Sequence, residues 1–120
     1  MKKSKASLVT SLALLVILCA HPLVHAQPGG KHIEVTASKF SFAPATITVK
    51  KGEPVTLVLS STDVTHGLRI RELGVDVKVN KGKSTEATFT PDQTGDFVGH
   101  CSNFCGAGHG GMALTVHVVD

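Results

Sequence analysis

Ala45-Thr46-Ile47-Thr48-Val49-Lys50-Lys51-Gly52-Glu53-Pro54-Val55-Thr56-Leu57-Val58-Leu59 holds two β-branched, apolar runs on either side of a turn. In the first run Ile47 and Val49 alternate with threonines; in the second Val55, Leu57 and Leu59 recur at every other position. Successive side chains of a strand point to opposite faces, so a period of two sets one apolar row against a core. Lys50-Lys51-Gly52-Glu53-Pro54 cannot continue either strand and supplies the turn. The same grammar extends outward, with strand-like runs at residues 32–36, 64–70, 75–79, 85–89, 96–101 and 113–119. Asn80-Lys81-Gly82-Lys83 and Pro91-Asp92-Gln93-Thr94-Gly95 punctuate them, and no stretch keeps a helical period. Seven or eight short strands at this spacing predict an all-β, Greek-key sandwich of antiparallel strands.

The beginning of the chain obeys different rules. Lys2, Lys3 and Lys5 precede a nearly unbroken apolar run at residues 6–20, and Val24-His25-Ala26 offers the small-residue pattern of a signal-peptidase site. That run is shorter than the roughly 20 residues that span a bilayer, which favours a removed leader over an anchor. The expected organisation is therefore a signal peptide at 1–26 and a single domain at 27–120, exported to a periplasmic or other extracytoplasmic space. An uncleaved leader would be the chain's own route to a membrane. Cys19 follows Leu18 rather than a small residue, against a lipoprotein site. Of the twelve Lys and Arg, three lie in the leader, leaving nine against nine Asp and Glu. A balanced domain carries no basic patch for nucleic acid or an anionic membrane surface.

Setting Cys19 aside leaves Cys101 and Cys105, and in an oxidising compartment a pair of cysteines suggests a disulfide. Their surroundings suggest something else. Cys101-Ser102-Asn103-Phe104-Cys105-Gly106-Ala107-Gly108-His109-Gly110-Gly111-Met112 breaks the strand pattern with four glycines and groups two thiols, an imidazole and a thioether. Soft sulfur ligands with imidazole select copper, whereas structural zinc calls for four strong ligands. A blue mononuclear site uses one Cys, two His and a weak Met, so this loop has one thiolate too many. Two thiolates four residues apart can bridge two ions, each then needing its own imidazole, and His66 in Asp63-Val64-Thr65-His66-Gly67 is available as the second.

With that loop, the upstream His66 segment, Phe40-Ser41-Phe42-Ala43-Pro44 and Val49-Lys50-Lys51-Gly52-Glu53-Pro54-Val55, the chain resembles the CuA domain of cytochrome c oxidase subunit II, a cupredoxin fold. The resemblance implies that Cys101 and Cys105 bridge two copper ions, with His66 and Met112 completing one ion and His109 and the Asn103 carbonyl the other. It also implies electron transfer, with a cytochrome c-like donor or an oxidase catalytic subunit as redox partner and no small-molecule substrate. Many oxidase subunits carry Glu where this chain has Asn103, and the aromatic patch of that family, often Trp-rich, is missing from a chain without Trp or Tyr.

Three functions follow as expectations: an electron carrier, free-standing or as the electron-receiving subunit of an oxidase; a copper-binding and delivery protein; or a mononuclear cupredoxin. An enzyme in its own right is disfavoured, because the donor set saturates both ions and leaves no open position. Alternation turns His100 away from the site, His32 and His117 lack ligand-like neighbours, and Asp63 is expected to order the loop before His66. Phe40, Phe42, Phe89 and Phe97 read as core, and Phe104 as a shield over the copper.

Overall fold

The computed structural model describes residues 30–120; the expected leader lies outside them. The strands are β1 (Lys31–Ser38), β2 (Ser41–Ala43), β3 (Thr46–Lys50), β4 (Val55–Ser61), β5 (His66–Ile70), β6 (Val75–Val79), β7 (Ser84–Phe89), β8 (Gly95–His100) and β9 (Ala113–Val119). One sheet has the order β2-β1-β4-β7 and the other β3-β9-β8-β5-β6. The two form the all-β sandwich that the period-two pattern predicts. Among the described residues no helix is long and apolar enough to cross a membrane, and only two short 3-10 turns, Arg71–Leu73 and His109–Gly111, break the β pattern.

The core is built from the alternating rows. Val55, Leu57 and Leu59 of β4 are fully buried, with Val35 and Ala37 of β1 beside them in the same sheet. The other sheet contributes Ile47, Val49, Leu68, Ile70, Leu114, Val116 and Val118 to the same cluster. Each large side chain taken from water in this way stabilises the fold by about 1.5–3 kcal/mol.

Two features differ from the sequence expectation. Two of the pairings are parallel, not antiparallel: β1 beside β4 from Lys31–Val55 to Ala37–Ser61, and β3 beside β9 from Thr46–Thr115 to Lys50–Val119. Between β1 and β4 the chain crosses to the second sheet as β3, and a strand that returns after a crossover can run in its original direction. Phe40, expected in the core with Phe42, Phe89 and Phe97, is 38% exposed. It sits in the turn between β1 and β2, where no alternation turns it inward; Phe42 and Phe89 are buried, and Phe97 packs partly buried against the core.

The bends that matter for chemistry meet at one place. Residues 62–65 lead into β5, residues 101–112 link β8 to β9, and the β1–β2 turn reaches both.

Candidate metal centre

His66 opens β5 and is completely buried. Its Nε2 lies 2.8 Å from Asp63 Oδ1. An ionised carboxylate only accepts, so Nε2 carries the proton and Nδ1 presents its lone pair on the other side of the ring. Asp63 is itself held: the Val64 N–H donates to Oδ1 at 2.7 Å and the Lys39 N–H to Oδ2 at 2.6 Å. The hydrogen bond from His66, followed by that from Lys39, lowers the Asp63 pKa from 3.8 to about 2. Asp63 thus orders this segment, as expected. It also fixes which nitrogen of His66 is free.

Gly67 lets this limb touch the loop. A Cβ there would run into Ser102 Oγ and come within 3.1 Å of the Asn103 nitrogen. The Ser102 N–H donates to the Gly67 carbonyl at 3.4 Å, so backbone meets backbone. This approach brings His66 Nδ1 to 3.9 Å from Cys101 Sγ.

The loop is folded on itself by its own backbone. The Cys101 N–H donates to the Met112 carbonyl at 3.0 Å, His109 N–H to Gly106 at 3.1 Å, and Met112 N–H to His109 at 3.3 Å. As a result the two sulfurs of Cys101 and Cys105 stand 3.7 Å apart, both buried. That is far beyond the roughly 2.0 Å of a disulfide bond, so the thiols are free. Cys105 Sγ has His109 Nδ1 at 3.7 Å and Met112 Sδ at 3.9 Å, and Cys101 Sγ has the Asn103 carbonyl at 3.2 Å. All six sequence-predicted residues therefore converge, each through the atom that could serve as a donor. Burial pushes the Cys105 thiol up, and the neighbouring Cys101 sulfur adds to the shift.

The model of the cupredoxin-like domain matches residues 8–113. The chain belongs to the cupredoxin-like family. Cytochrome c oxidase subunit 2 of Thermus thermophilus is 28% identical over 101 residues, covering 84% of this chain and 75% of that protein. The periplasmic domain of subunit II of cytochrome oxidase from Bradyrhizobium japonicum superposes with a TM-score of 0.70 at 20% identity, covering 75% of this chain and 84% of that one. Auracyanin A, a "blue" copper protein from Chloroflexus aurantiacus, gives a TM-score of 0.63 at 18% identity, covering 76% of this chain and all of that one.

In this cupredoxin-like chain the donor chemistry fits a thiophilic metal. Two thiolates about 2.3 Å from one tetrahedral ion stand roughly 3.8 Å apart. The observed spacing of 3.7 Å matches that. Asp63, the nearby carboxylate, is turned to the outer edge of His66. A Met thioether beside the thiolates and imidazoles favours copper over structural zinc, which calls for four strong ligands.

The remaining candidates separate cleanly. His100 is exposed and paired across the sheet with Ala113, while its neighbour Cys101 is buried, as alternation requires. His117 meets Asp96 on the outer face of the sandwich. Phe104 is 77% exposed with its ring 5.5 Å from that of His109, so what it lies against is that imidazole. Sequence reasoning missed the Lys39 N–H and the Phe40 ring as neighbours of the site; both lie far upstream, and no local pattern marks them.

Proposed function

We propose that this chain is an exported electron-transfer protein with a dinuclear, CuA-type copper centre, acting free-standing or as the electron-receiving subunit of a terminal oxidase. The observation that carries this reading is the pair of free thiols 3.7 Å apart with an imidazole Nδ1 set against each. A mononuclear site has no use for the second thiol at that place. The similarity to oxidase subunit 2 supports the dinuclear reading; the likeness to auracyanin A reflects the shared fold.

When bound, the copper pair supplies a one-electron couple. The residues supply the rest. Cys101 and Cys105 would hold the two ions through their thiolates; His66 and Met112 would complete one, and His109 and the Asn103 carbonyl the other. Asp63 keeps His66 in one tautomer and one orientation, which limits movement when charge changes. Burial of Cys101, Cys105, Met112 and His66 excludes water and so reduces solvent reorganisation around the site. The domain at 27–120 would then work outside the cytoplasm after loss of residues 1–26. Its redox partner would be a cytochrome c-like donor or an oxidase catalytic subunit.

Copper binding and delivery is the second reading, favoured by a cleft of about 360 Å³ that opens beside Cys101. Mixing the loaded, reduced protein with an oxidised cytochrome c separates the two. Electron transfer with copper retained supports the carrier, and copper leaving to a chelating acceptor without redox turnover supports delivery. Cys101→Ser and Cys105→Ser should each abolish the dinuclear centre, leaving at most one copper. Retention of two coppers in either variant would refute the bridging role.

A further inference from the structure

Phe40 is exposed by 38%, while Phe42, two residues on, is 2% exposed. What the Phe40 ring covers is backbone. A Cβ built on Gly106 would lie 2.8 Å from ring atom Cε1 and 2.9 Å from Cζ. One built on Gly108 would overlap Cγ and Cδ2. Gly106 also has φ +138, a conformation that side chains rarely adopt. Both glycines lie between Cys105 and His109, in a stretch with only one small side chain, Ala107, of its own. Such a segment loses much backbone freedom on ordering, and apolar contact must come from elsewhere to offset that loss.

We propose that Phe40 is a positioning residue: its ring, lying against Gly106 and Gly108, sets where the loop holds His109 relative to Cys105. The inference rests on the copper reading above only for its consequence at the metal; the contact itself belongs to the metal-free protein. The residue before Phe40 strengthens the case. The Lys39 N–H holds Asp63, and Asp63 holds His66, so adjacent residues of one turn reach both imidazole limbs. Removing the ring loosens the His109 limb and leaves the His66 limb in place. The His109 N–H, bonded to Gly106 at 3.1 Å, and the Gly111 N–H, bonded to Gly108 at 3.2 Å, report on the loop directly.

The test uses Phe40→Ala and the milder Phe40→Leu in the full chain, metal-free and copper-loaded. In metal-free Phe40→Ala, amide hydrogen exchange at His109 and Gly111 should rise by about tenfold or more while amides of β4 stay unchanged. Phe40→Leu should fall between it and the unaltered protein. After loading, copper stoichiometry should match the unaltered protein, but the hyperfine splitting in electron paramagnetic resonance and the reduction potential should shift. Unchanged exchange at both loop amides would overturn the proposal, and so would a uniform rise that included β4, which would make Phe40 a general stabiliser. Exchange confined to the loop with an unchanged spectrum and potential would overturn its role at the metal. Should the unaltered protein take up no copper, the functional reading fails, while the exchange result still decides whether Phe40 orders the loop. If Phe40→Ala does not fold, Phe40→Leu and Gly108→Ala, which presses a Cβ against the same ring, carry the comparison.

Discussion

His66 and His109 reach the same pair of sulfurs from two unlike kinds of structure. His66 begins a strand, is fully buried, and has its outer nitrogen tied to a carboxylate that is itself held by two backbone N–H groups. His109 sits in a 3-10 turn of a glycine-rich loop, partly exposed, beside the ring of Phe104. One imidazole is part of the core. The other is carried on a segment that depends on Phe40 and a few backbone hydrogen bonds. The difference teaches that a metal centre can be half built into a fold and half laid onto it, with stability concentrated in the first half.

Deleting each imidazole in the metal-free protein breaks or sharpens that contrast most strongly. His66→Ala leaves a cavity and strips Asp63 of its main partner, so it should cost about 2–4 kcal/mol of unfolding free energy. His109→Ala should stay within about 0.5 kcal/mol. Denaturant unfolding measures both, and equal losses would erase the distinction.

Asp63→Asn comes next. The loss of a charged partner behind His66 should weaken copper affinity by about 10–100-fold without changing the copper count. It also has a sign in pH. The Asp63 pKa is depressed in the folded state, from 3.8 to about 2, so the hydrogen bonds its carboxylate accepts from His66 and the Lys39 N–H stabilise the metal-free fold above about pH 4. That contribution disappears as pH falls through about 2, and acid titration of the variant should lack it.

Smaller effects belong to the loop. Met112 is completely buried with its sulfur 3.9 Å from Cys105 Sγ. Met112→Leu nearly conserves volume and should cost less than about 1.5 kcal/mol. Two coppers should remain, with the reduction potential raised by loss of a weak donor to the oxidised state; voltammetry reads the shift. Asn103→Ala should change least, within about 0.5 kcal/mol of stability. Its carbonyl survives, and its side-chain amide makes only long hydrogen bonds, to the Thr65 carbonyl at 3.4 Å and the Phe104 carbonyl at 3.3 Å.

The same contrast governs what could be read before the fold was known. Alternation at residues 45–59 revealed the strands and their buried rows, because burial on one face leaves a local pattern. It could not reveal that β1 lies parallel to β4, since that pairing joins residues 24 apart through a crossover. The loop limb was legible as well: Cys101, Cys105, His109 and Met112 are spaced by one short segment. His66 was singled out by the loop's need for a second imidazole and strengthened by the family resemblance, as an isolated histidine in a strand carries no mark of its own. Lys39 and Phe40 were not legible as neighbours of the site. Lys39 acts through its backbone N–H, which any residue but proline supplies, and Phe40 acts on glycines whose partners only the fold determines. Phe40 read as core for the ordinary reason that phenylalanine is apolar.

Whether both limbs serve one shared centre is tested most directly by loading the unaltered protein with copper, counting the metal, and recording electron paramagnetic resonance of the oxidised state. The account predicts two coppers per chain and a single unpaired electron split equally by two copper nuclei. One copper per chain, with hyperfine structure from a single nucleus, would contradict it.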